Sequence, residues 1–370
     1  MRRYRFWTGL AGVVVLSCIS LSAHPITVES AATRTVSFPA GLAHLPITPV
    51  GMGAFGLELV FPQFTLDGNS SVDVYDTQAG TLKTYHVPGA VQGQFAYSTV
   101  DDTAAGMFWM GTRDYLVGFN VANHMFTVVP LPAVEFAEGT IGSSSPANVL
   151  GLTVDKAHNV WITRDHEHAV TRFNPVSGVF TEYALPAGVV PRAIAVLGMG
   201  KVVVNVYHAD NPHYGGLRVL DAGYLVVDLG TGTIIFHGGF TPTVSAAPDG
   251  SALVDRANNL ERVGAEGGNQ SISSSFSLMP RPGTRALNEA GGVDWIATGK
   301  DLIRMQAGTA EHYAVAQRCG VDTGFHAPGG APAGGTACLF PDLTDVTMTS
   351  DGKVWVLAAG YSAIGFAQLS

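Results

Sequence analysis

Charge is scarce in this chain. Only 13% of its 370 residues are charged, and the formal net charge is −9. That balance lacks the basic footprint nucleic-acid binding needs, and it offers no attraction to an acidic membrane surface. Helical periodicity is missing from every long stretch after the start. Beyond residue 23 no run is long and apolar enough to span a bilayer. Three signatures of common chemistry are also absent: the Gly-x-Ser-x-Gly elbow, the phosphate loop and the His-Glu-x-x-His zinc motif. Cysteine is nearly absent too, with only Cys18, Cys319 and Cys338.

What the chain has instead is glycine, proline and repetition. It contains 45 Gly and 20 Pro, and 46% of it is hydrophobic. A phrase recurs: a turn, an apolar strand with Trp near its middle, a gap, then a strand ending in Pro. Gly151 to Pro186 is the fullest copy. Aligning the apolar strands places Trp109, Trp161, Trp295 and Trp355 at one repeat position. KVVVNV, SALVDR and LELVFP keep the pattern without Trp. Aligning the outer halves places Asp76, Asn120, Asn174 and Asp228 at the start of tight turns. Gly80, Gly178 and Gly232 supply the positive φ such turns favour. Spacings of 120−76 = 44, 174−120 = 54 and 228−174 = 54 leave room for about four short strands per unit, as in a propeller blade.

The fold class is therefore all-β. The final repeat, ending AIGFAQLS, has three strands, and TRTVSFPA (33–40) reads as an orphan fourth. Joining them closes a ring of seven blades and removes the exposed edges of an open array. An open β-sandwich and a six-bladed ring are the alternatives. Residues 24–370 form one domain without a linker.

Residues 1–23 read as a secretion signal: Arg2, Arg3 and Arg5, an apolar stretch from Phe6 to Ser22, and small residues before His24. Leu16-Ser17-Cys18 is a poor lipoprotein box, and an uncleaved anchor is a further alternative. Cleavage after Ala23 leaves a charge of 17−29 = −12. The expected location is secreted or periplasmic, with the mature chain a monomer free of membrane spans. Cys319 and Cys338 then flank a Gly/Pro-rich run with little core of its own. A disulfide there would stabilise by roughly 3 kcal/mol on the chain-entropy view; two buried thiols are the other reading.

The phrase NVWIT…RFNPVSGVFTEYALP followed by PRAIAV resembles the repeats of the virginiamycin B lyase (streptogramin lyase) propellers. The related gluconolactonase-like propellers share the general blade. The likeness is clear over about 108–196 and at 351–356. It implies a propeller, a compartment, and a His/Glu pair at fixed strand positions. In this sequence those positions hold Leu150 and Arg164, Arg192 and Val206, and Thr344 and Ala358. Leu and Ala cannot exchange protons near working pH.

Two loops on the upper face are unusually polar: Asp165-His166-Glu167-His168 and His208 to Tyr214. Asp165, His166, His168, His208 and Asp210 could hold a divalent metal ion through imidazole and carboxylate. Such an ion could polarise a carbonyl or activate water. Exposed loops also collect these residues merely because they are soluble and turn-friendly. Arg192, Arg281 and Arg285, in connections reaching the same face, could hold a carboxylate or sulfate ligand, or could pair with nearby Asp or Glu. His44, His86, His124, His158, His237 and His312 read as strand or lower-turn residues without special roles. The expected function is binding of a small molecule, glycan or protein on the upper face. The rival is a metal-dependent lyase or lactonase acting on a cyclic ester or sugar acid.

Overall fold

The structure, a computed structural model, describes residues 27–28, 36–37, 39, 42, 45, 49–64, 69–94, 96–133, 148–164, 167–186, 189–208, 223–238, 243–247, 249–256, 259–266, 268–273, 286–289, 293–298, 301–306, 309–314, 318–321, 337–339, 343–358 and 363–367. Residues 1–23, read from the sequence as a secretion signal, and Asp165, His166, Asp210, Arg281 and Arg285 lie outside the described residues. Among these residues no helix is long and apolar enough to cross a membrane.

The chain folds as antiparallel sheets in sequence order. Blades one to five span 53–86, 98–130, 149–184, 189–238 and 243–273, each with four strands. A closing blade joins three strands of 343–367 to Val36–Ser37. The chain ends thus pair as the sequence implies: Val36 opposes Ala367 and Ser37 opposes Phe366. The blade count is corrected. Six sheets are four-stranded blades, where seven were expected. A further sheet, 286–314, is five-stranded because Thr27–Val28 adds in parallel to Thr309–Ala310. The N-terminal segment is too short in sequence signal to announce that extra strand.

Trp109, Trp161, Trp295 and Trp355 all lie on second strands and are buried. Their apolar bodies fill the seams between sheets. One cluster joins Trp109 and Leu116 of blade two to Val149 and Phe173 of blade three; another joins Trp161 to Ile194 and Val202 of blade four. Buried indole N–H groups usually find partners, although that of Trp109 has none among the described residues. Trp161 donates to Asp155 at 2.9 Å and Trp355 to Thr349 at 3.1 Å, each closing the turn just before its own strand. The outer turns form as the Asx pattern predicts. Asp76, Asn120, Asn174 and Asp228 each accept from the backbone N–H groups two and three residues on.

Neighbouring first strands approach closely around the axis. A Cβ on Gly151 would meet the Arg192 carbonyl at 2.4 Å, so only glycine fits there. Cys319 and Cys338 are register partners in a separate two-stranded ribbon, Arg318–Val321 with Ala337–Leu339. No disulfide bond is present among the described residues.

Candidate functional site

Each first strand pairs only with the second strand of its own sheet, so its other edge faces the axis. The result is a cavity of about 940 Å³ whose wall carries backbone edges as well as side chains. First strands of blades two to five and of the closing blade line it, with Val50 and Met52 from the approach to blade one. The turns between first and second strands lie at the lower end, and four of them complete the lining: residues 102–104, 155–158, 198–201 and 250.

The lower rim is more structured than its sequence suggests. Asp155 receives the N–H groups of Ala157 and Asn159, the Asn159 side-chain amide and the Trp161 indole. That carboxylate locks the 155–159 turn. His158 sits in it at φ 62, where blade two has Gly106, blade five Gly250 and the closing blade Gly352, all at positive φ. A non-glycine residue is costly there. Its imidazole Nδ1 lies 3.0 Å from both carboxylate oxygens of Asp102 in blade two. The bond crosses a blade seam and offsets the backbone strain. His158 therefore lies in the lower turn where the sequence puts it, with a specific partner and a place on the cavity wall. The sequence signal was a His standing where a turn favours Gly.

The remaining rim carboxylates are held elsewhere. Asp345 is 1% exposed and accepts from the Met52 and Val346 amides. It thereby ties the closing blade to blade one.

The upper rim is described in part. Arg164 and Glu167, both buried, form a bidentate pair at 2.9 and 2.6 Å, and Arg164 also donates to the Pro132 carbonyl. The position where the lyases place a Glu is thus filled by an arginine engaged in structure. Glu167, flanked by the predicted metal ligands, is consumed by this pair and by the Thr171 hydroxyl. His168 Nδ1 lies 2.6 Å from the Val189 carbonyl, and Val189 is the register partner of His208. The structure thus brings His168 and the His208 backbone to one seam between blades three and four. Among the described residues no group of three or more His, Cys, Asp or Glu side chains could hold a metal. Of the three predicted ligand-binding arginines, Arg192 lines the axial cavity and accepts at its carbonyl from the Thr163 hydroxyl.

No family model matches the sequence, and no curated protein matches it. Solved structures do. A streptogramin B lyase structure is similar at TM-score 0.62 and 15% identity, over 90% of this chain and 96% of that one. A catalytically inactive virginiamycin B lyase from Staphylococcus aureus with quinupristin is similar at 0.61 and 12%, over 90% and 98%. The WD40 repeats of RRP9 are similar at 0.59 and 9%, over 90% and 100%. Propellers of unrelated roles thus score alike, and a shared ring of blades does not carry a shared activity. The resemblance read from the repeats is matched by the structural neighbours, and the chain has the propeller fold seen in the streptogramin and virginiamycin B lyases.

Proposed function

We propose that this chain is an exported binding propeller that holds a small organic ligand in its axial cavity. The observation that carries the reading is the cavity itself. Its volume of about 940 Å³ lies within the range of small-molecule sites, roughly 300–1,000 Å³. The similar fold of an inactive lyase solved with quinupristin supports this reading. Export fits the basic and apolar start of the sequence. A Cys319–Cys338 bridge fits their register, because directly opposed antiparallel residues have Cα atoms about 4.5–5.5 Å apart, inside the disulfide range.

A thermal-shift screen of small organic molecules on the mature chain tests the binding reading. A ligand present at a hundred times its Kd should stabilise by about 2.7 kcal/mol. Ala157 is exposed on the lower lining, so Ala157→Trp should block the mouth without unfolding the ring. Hits that bind the variant equally well would move the site out of the cavity.

A second reading rests on the seam between blades three and four. There the His168 Nδ1 contact to a carbonyl leaves Nε2 available, the arrangement usual for a metal-bound imidazole. With His166, His208 and an Asp from either loop it would give a metal-dependent lyase or lactonase. Metal analysis of the purified protein, with His166 and His208 changed together to Ala, decides between the two.

A further inference from the structure

We propose that the lower mouth of the cavity is a site for small hydroxycarboxylates, held by Lys156 and His158; this rests on the cavity being the binding site. Most charges on the cavity wall are already engaged. Four carboxylates line the cavity. Asp102 is engaged by His158 and the Ala105 amide. Asp155 is saturated by its own turn, Asp345 by two backbone amides, and Asp101 has a partner as well. On the basic side, Lys201 donates to the Glu266 carbonyl and Arg192 is also engaged. Lys156 lines the cavity without a hydrogen-bond or ion-pair partner among the described residues. Its ammonium reaches across the mouth toward blade five: a Cβ built on Gly250 would lie 3.8 Å from it. A protein of net charge −9 thus leaves a cation uncommitted at its cavity mouth.

His158 supplies the second contact. Asp102 takes the Nδ1 side of the ring, which leaves Nε2 as the nitrogen that can hydrogen-bond a ligand hydroxyl. Lys156 and His158 ride on one turn whose backbone Asp155 holds, and the Asp102 contact orients the His158 ring. A ligand that offers a carboxylate to Lys156 and a neighbouring hydroxyl to Nε2 matches both. A plain carboxylate matches only the first.

The test uses isothermal titration of the mature chain at low salt with malate and with succinate, which differ by one hydroxyl. Malate should bind about tenfold tighter, the worth of a hydrogen bond of roughly 1.4 kcal/mol. Lys156→Met should weaken both about tenfold. His158→Gly should erase the difference between them, and the ring should stay folded because glycine suits that backbone. Equal affinities in the parent, no binding of either acid, or unchanged affinities in either variant would overturn the proposal. Neutral compounds that still bind, and that Ala157→Trp excludes, would leave the cavity reading standing while this one fell.

Discussion

Single residues in this ring do work that their own repeat does not reveal. The Arg164–Glu167 pair is an instance. Both side chains are almost fully buried, at 4% and 6% exposure. Removing one partner strands the other charge, which typically costs 3–5 kcal/mol. Arg164→Met should therefore lower stability by about that much in urea titration. Arg164→Met combined with Glu167→Leu should recover a large part of it. A single variant as stable as the parent would show that solvent reaches Glu167. Asp73 makes a second, pH-dependent case. Burial pushes its carboxyl above the usual range, against the opposing effects of the Thr84 hydroxyl and the nearby His86 charge. The folded state then holds its proton to higher pH than the unfolded chain. Stability from this group is complete below about pH 3.9 and is lost as pH rises through the raised folded value. Asp73→Asn should thus gain on the parent between about pH 4 and 7 and show no gain below that window. A stability difference constant from pH 3.5 to 7 would contradict the shift.

Elements were more legible in the sequence than contacts between them. Trp at one repeat position and Asx at the outer turns are local signals, and each marks a strand or turn formed within a single blade. The pairing of Val36–Ser37 with the last strand was also readable, because VSFPA copies the fourth-strand phrase of other blades. The fifth strand of the 286–314 sheet was not: Thr27–Val28 carries no repeat pattern and adds in parallel. The His158–Asp102 bond was invisible for another reason. It joins turns of two different blades, and only the ring brings them together. Blade periodicity predicts what each unit does internally and is silent on the seams. Deleting residues 24–40 should remove both N-terminal strands at once and sharply lower the melting temperature. An unchanged melting temperature would show that neither strand contributes to closure.

At the scale of the molecule, the sheets are held by shared apolar seams, such as Trp295 and Tyr313 against Leu343 and Val354, or Trp355 and Leu357 against Leu59 and Phe61. The axial cavity is a by-product of that packing, since a ring of sheets cannot bring every first strand to one point. No single motif encodes it, so sequence patterns point to polar loops and not to the axis. Val36 pairs with Ala367, so 367−36 = 331 positions separate two strands that meet in one sheet. At about 5–20 residues per second, a ribosome needs roughly 15–65 s to make that interval. For all of it the strand made early has no partner. Its blade is completed only once Ala363–Ala367 has been made, so the ring cannot lock before then. The early strand must wait, accessible to chaperones or to other unfinished copies, and the yield of native protein should depend on what it meets in that interval.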